Sequence, residues 1–208
     1  MRKKLLFLSF LFISVGSYAQ VELGVKFSPT ISASRVSSDA DGVNFDGNGA
    51  ALRFAAGPFA DIAFSENYYI STGLFLVSNR ASFEATAGPE RHEEEHNLQY
   101  LQVPLALKLY TNEIALDKRI YFQVGTTMEF KVKEKSDSEI QQIEDFKLFN
   151  STLQVGFGLD YKIGLNTSLF GGLSYNRGLI NAVSDRTEGV PEFKLKNDYV
   201  GIDLGIKF

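Results

Sequence analysis

Two histidines are the only imidazoles in this 208-residue chain, and they stand four residues apart in His92-Glu93-Glu94-Glu95-His96. H-E-x-x-H is the spacing with which a helix aims two imidazoles at one zinc ion while the glutamate activates water. Here the flanks are Ala87-Gly88-Pro89-Glu90-Arg91 and a strand-like run from Asn97, so no amphipathic helix holds the spacing and no third histidine completes it. The segment reads instead as a solvated acidic loop. A serine–histidine hydrolase needs a histidine beside its nucleophile, oriented by a carboxylate. Both histidines fall in that loop, and the chain has no Gly-x-Ser-x-Gly elbow. Asp39, Asp41 and Asp46 with Gly42, Gly47 and Gly49 resemble a calcium loop but lack its spacing and terminal glutamate. Gly156-Phe157-Gly158 opens no helix, so it reads as glycine making room for a large neighbour. Cysteine is absent, which removes disulfides, thiolate metal sites and cysteine nucleophiles. On these grounds no residue is assigned as catalytic, cofactor-binding or metal-ligating, and no cofactor is expected.

The elements that would position any chemistry begin after an export signal. Arg2, Lys3 and Lys4 precede an apolar stretch from Leu5 to Val15, and Ser17-Tyr18-Ala19 supplies the small residues a signal peptidase reads. The stretch is far shorter than the ~20 residues of a membrane-spanning helix. Residues 1–19 are therefore expected to be removed and 20–208 to form one domain. With 21 basic and 25 acidic residues the whole chain carries −4; losing three basic residues makes the mature chain still more acidic, which argues against a nucleic-acid partner.

Beyond the signal the apolar period is two. Val200, Ile202, Leu204, Ile206 and Phe208 alternate with Tyr199, Gly201, Asp203, Gly205 and Lys207; Leu101, Val103, Leu105, Leu107 and Leu109 alternate with Gln102, Ala106 and Lys108. Successive strand residues point to opposite faces, so these are strands with one apolar and one polar side. Eight are expected: 21–34, 51–65, 68–83, 97–110, 119–133, 148–163, 167–180 and 197–208. All exceed the 9–11 residues that cross a bilayer as a tilted strand. Short connections (66–67, 111–118, 164–166) alternate with long polar ones at Arg35–Ala50, Glu84–His96, Glu134–Lys147 and Asn181–Lys196. That alternation predicts an all-β, eight-stranded antiparallel up-and-down transmembrane β-barrel of the OmpX/OmpA kind, with short turns in the periplasm and long loops outside.

Which face points outward is a separate question. Taking the polar face as interior collects Lys26, Arg53, Lys108, Arg119, Lys131, Lys162 and Lys207 against Glu22, Asp61, Glu129, Asp160 and Asp203, a near-neutral set in which buried charges find partners. Phe64, Tyr68, Tyr69, Tyr110, Tyr121, Phe122, Tyr161 and Phe208 gather near the short turns and read as an interfacial girdle. Both point to a membrane barrel, not a soluble one. Mid-strand Pro104 donates no ladder hydrogen bond and predicts a bulge or local kink.

Several segments resemble the PorT-type outer-membrane β-barrel proteins of Bacteroidota, a "porin family". They are Gly24-Val25-Lys26, Tyr100-Leu101-Gln102-Val103-Pro104-Leu105 (near the family's Tyr-Leu-x-Ile-Pro-Leu), Tyr175-Asn176-Arg177-Gly178-Leu179-Ile180-Asn181 and the closing Leu204-Gly205-Ile206-Lys207-Phe208. The resemblance implies residence in outer-membrane lipid, insertion by the barrel assembly machinery and, for the founding member, a link to type IX secretion. The expected function is non-enzymatic: a side-chain-filled barrel that is structural or presents loops 35–50, 84–96, 134–147 and 181–196 to a surface or secretion partner. A lipid-modifying enzyme and a small low-conductance channel remain the alternatives.

Overall fold

The computed structural model describes residues 20–38, 43–87, 90–136 and 142–208; the expected signal segment lies outside them. Among the described residues twelve strands follow one another: β1 (Val21–Ser38), β2 (Asn44–Gly47), β3 (Ala50–Ser65), β4 (Tyr68–Gly73), β5 (Phe75–Ala87), β6 (Glu90–Tyr110), β7 (Lys118–Ser136), β8 (Ile143–Phe146), β9 (Phe149–Lys162), β10 (Ser168–Gly178), β11 (Val183–Arg186) and β12 (Phe193–Lys207). β4 and β5 are two parts of one stave. Eight antiparallel staves then run β1-β12-β10-β9-β7-β6-β4/β5-β3, and pairing of β3 with β1 closes the cylinder. The fold is an up-and-down outer-membrane barrel.

Its wall faces the way the charges demanded. Val21, Leu23, Val25, Phe27 and Ile31 of β1, Leu105 and Leu107 of β6, and Val200, Ile202 and Leu204 of β12 are exposed, while Asp61, Gln102, Lys108, Glu129, Asp160 and Asp203 are buried in the lumen. A water-soluble barrel would invert this. Exposed apolar residues ring the whole cylinder, a surface only lipid accommodates.

Pro104 lies opposite Thr127 in unbroken register with β7, and the only β6–β7 shift is between Gln99 and Tyr100. The expected bulge is therefore absent, and the cost falls on the neighbouring stave. Thr72↔Leu105 and Phe75↔Gln102 keep one register across β6, yet the stave is interrupted at Leu74. In that register Gly73 falls opposite Pro104 and Leu74 opposite Val103, and the Leu74 N–H is taken by the Pro58 carbonyl of β3 at 3.0 Å. Pro104 has no N–H to give Gly73, so the ladder omits the rungs 73↔104 and 74↔103 without changing step.

The long connections are a second correction. β1 continues to Ser38, β7 to Ser136, and β5 and β6 extend as one hairpin through nearly all of 84–96. β2 adds to the edge of β5, and β8 pairs with β11 as a separate two-stranded sheet. The reason is visible along β12. Val200, Ile202 and Leu204 face out beside inward Asp203, but toward the long connections Lys194 and Lys196 face out while Phe193 and Leu195 are buried. The alternation continues with its polarity reversed once the strand leaves the lipid belt.

Candidate functional site

The lumen is built in layers. Nearest the short turns, Lys207 donates to Glu22 (2.7 Å) and to the Tyr110 hydroxyl (2.9 Å) and pairs with Asp160 (2.7 Å); Arg119 lies over the Tyr110 ring at 4.4 Å and 3.6 Å from Asp160. Above it Lys108 donates to Asp61 at 2.7 Å, Asp61 accepts Ser71 at 2.6 Å, and the ammonium stands over Tyr121 (4.7 Å), Phe59 and Phe170 (both 5.4 Å). Tyr121 fits because Gly158 and Gly172 oppose it: a Cβ at either would lie 2.6 or 2.4 Å from its hydroxyl. This is the role expected of Gly158. Next, Asp203 accepts Ser28 (2.6 Å) and Ser174 (3.0 Å) and pairs with Lys26 at 3.4 Å. The cavity among Lys26, Ser71, Phe75, Lys108 and Asp203 measures about 20 Å³, room for about one water.

Some expected placements and pairings change. Adjacent residues of a strand cannot share a face, so of the expected girdle Tyr69, Tyr110 and Tyr121 turn inward, whereas Phe64, Tyr68, Phe122, Tyr161 and Phe208 stay on the outer surface. Lys162, near the end of β9, is exposed. Glu129 has neutral partners: Gln102 Nε2 (3.0 Å), Asn150 Nδ2 (2.8 Å) and the Tyr199 hydroxyl (3.1 Å) all donate to it. Lys131 lies higher, donating to Glu134 (2.7 Å) and Asp145 (2.5 Å). That hydrogen bond holds the Asp145 carboxyl below its ordinary range.

At the long-connection end the extensions form a head with its own apolar core of Phe45, Phe83, Leu98, Ile143, Phe146, Val183, Phe193 and Leu195. Phe45 stacks on Phe193 at 4.6 Å. The acidic motif is part of this head, on strand β6 rather than in a loop. Alternation turns His92, Glu94 and His96 one way and Glu93 the other, and two residues four apart on a strand are separated by about 13 Å. The zinc arrangement of the helical motif is thus geometrically excluded. Glu94 is buried and works as a tie: it contacts His96 Nε2 at 2.5 Å and accepts the Gln142 and Ile143 amides at 2.7 and 3.2 Å, anchoring β8 to β6. His96 packs edge-on against Phe146. Of the calcium-like residues, Asp46, Gly47 and Gly49 lie in or beside β2, and Asp39, Asp41 and Gly42 fall outside the described residues.

Beside the tie a cleft of about 500 Å³ opens to solvent, its floor apolar (Val43, Phe45, Ala85, Val190, Pro191) and its rim carrying Arg91, His92 and Gln142. Volume and lining suit a small ligand or an anchoring side chain. Sequence reading missed it because its walls come from four connections separated by up to 148 residues; only the isolated apolar residues Phe45 and Val190 inside polar stretches signalled burial.

The family model described as "Outer membrane protein beta-barrel domain" matches residues 16–184. Among solved structures, the outer membrane protein OprG of Pseudomonas aeruginosa is similar over 90% of this chain and 95% of its own, with TM-score 0.57 and 16% identity. Neisserial surface protein A is similar over 91% and 97%, with TM-score 0.49 and 12% identity. A comparison with curated proteins finds no match.

Proposed function

The chain belongs to the outer membrane protein beta-barrel domain family, and from that premise we propose that it is a non-enzymatic outer-membrane protein whose head binds a partner at the cell surface. The observation that carries this is the solvent-open, apolar-floored cleft of about 500 Å³ in the head, whereas mid-barrel the cavity among Lys26, Lys108 and Asp203 has space for about one water. In this reading the short turns face the periplasm, the head faces outward, residues 1–19 are cleaved, and the barrel assembly machinery inserts residues 20–208. The PorT-like segments support membership of that Bacteroidota group and, with it, a secretion-system protein as the partner. The partner surface comprises the head portions of 35–50, 84–96, 134–147 and 181–196.

The test has two arms. Reconstituted in planar bilayers, the barrel is expected to give no conductance steps; regular openings would make it a channel. Replacing residues 183–190 by a Gly-Ser linker should leave outer-membrane insertion and heat-modifiable migration intact while abolishing capture of surface proteins. Capture unchanged in that variant would refute the head as the binding element.

A further inference from the structure

The barrel wall is not sewn equally all round. β3 keeps β1 as a neighbour along its length, from Val21↔Ile62 to Ala33↔Ala50. On its other edge β5 pairs with it at only two positions, Ala55↔Val77 and Ala56↔Leu76. Beyond these, β5 takes β2 as its partner, out of step: continuing the β3 register would bring Gly47 opposite Ala85, but it lies opposite Phe83. Among the described residues, Ala50–Phe54 are thereby left with no strand on the edge that faces β5.

Side chains close this seam. The Arg80 amide donates to Ser32 Oγ (3.2 Å) and the Ser82 amide to Ser34 Oγ (2.9 Å), so β5 is fastened to side chains of β1 instead of to the β3 backbone. The Leu52 carbonyl accepts the guanidinium of its own neighbour Arg53 at 3.5 Å. Arg53 lies on the lumen-facing side of β3, opposite buried Thr30, yet it donates to Asn97 and lies 3.6 Å from Glu95, both on the outward side of β6. The end of β3 therefore overlaps the β5/β6 hairpin with a charged layer between them. Arg80 shares the same carboxylate at 2.6 Å. Two guanidiniums thus converge on Glu95, and the Nε of each is buried without a hydrogen-bond partner among the described residues. Outside the seam Leu52 is 73% exposed and Phe27 stacks on exposed Phe54.

A sheet edge facing lipid needs polar partners, and planar guanidiniums match the oxygens of a phosphate or carboxylate. We propose that this seam binds the anionic headgroup of an amphiphile, its tail lying along Phe27, Leu52 and Phe54. The headgroup displaces Glu95 from one guanidinium and takes up the unpartnered Nε groups as the overlap parts. This site is separate from the head cleft, so the two readings fail independently.

The chain contains no tryptophan, which makes Leu52→Trp a single reporter. In the full barrel reconstituted in vesicles, brominated phosphatidylglycerol is expected to quench it about fivefold more effectively than brominated phosphatidylcholine at equal mole fraction, the worth of one ordinary net hydrogen bond. Leu105→Trp, on plain lipid-facing wall, should show no preference. In the Leu52→Trp background, Arg53→Gln with Arg80→Gln should abolish the preference and Glu95→Gln should increase it. A merely structural ion pair would make both changes act in the same direction, and Glu95→Gln still decides the matter if the double variant fails to fold. Dodecyl phosphate should relieve the quenching where inorganic phosphate does not. Equal quenching by the two lipids, a preference untouched or lowered by Glu95→Gln, or inorganic phosphate as effective as dodecyl phosphate would overturn the proposal.

Discussion

The lipid belt and the head are made by the same strands with opposite polarity. Along β6, Leu101, Val103, Leu105 and Leu107 look outward in the belt with Gln102 and Lys108 inside; toward the head Arg91, Glu93 and Glu95 look outward and Leu98 is fully buried. The solvent outside the wall decides which face is apolar, and the chain changes faces where that solvent changes. The two interiors consequently hold together by different means. In the belt, buried charges are enclosed with partners; in the head, aromatic and aliphatic side chains pack much as in a soluble domain.

The sharpest way to break this contrast is to unpair the belt. Asp61→Asn leaves the Lys108 ammonium buried without its counter-charge and is expected to cost about 3–5 kcal/mol, read as a lowered urea midpoint in detergent; an unchanged midpoint would mean that the ring faces alone hold the lysine. A smaller effect tests the change of polarity itself. Leu105→Arg should cost about 2–4 kcal/mol in a bilayer, whereas Gln99→Arg, outward on the same strand but nearer the head, should be close to neutral. Equal costs would move the edge of the belt. The smallest effect is expected at Glu129. Its three donors are neutral, and among the described residues the Asn150 Oδ1 has no hydrogen-bond partner, so in Glu129→Gln the Asn150 amide turns over to accept from the new amide. The loss should stay within about 1 kcal/mol, measured by the same unfolding series, against a much larger loss for Glu129→Ala.

The belt was legible in the sequence because its rule is local. A strand such as β12 reveals both faces within ten residues, and the near-balance of charge on one face identified the inside. What misled was adjacency: Tyr68 and Tyr69 look equally interfacial in a composition, although parity sends one to lipid and the other to the lumen. The head was illegible for a different reason. Its strands reverse the polarity rule, so Glu84 to His96 resembles a loop, and its decisive contacts, Glu94 with the Ile143 amide and Phe45 with Phe193, join residues 49 and 148 positions apart. The seam at Ala50–Phe54 was equally hidden, because a missing rung depends on the register of a neighbour and not on the residues that lack it.

Closure between the first and last staves has a kinetic consequence. β1 pairs with β12 from Gly24↔Lys207 to Ser38↔Phe193, contacts that nearly span the chain. Such pairing is among the slowest to form, because loop-closure entropy is lost before any contact compensates it. Until then every stave shows alternating apolar side chains to water, with no partner on at least one edge of the growing sheet, the state most prone to aggregate. A barrel sewn by its two ends thus has a long, vulnerable interval between synthesis and completion, and its yield in cells should depend more on holdase capacity during transit than on the stability of the finished cylinder.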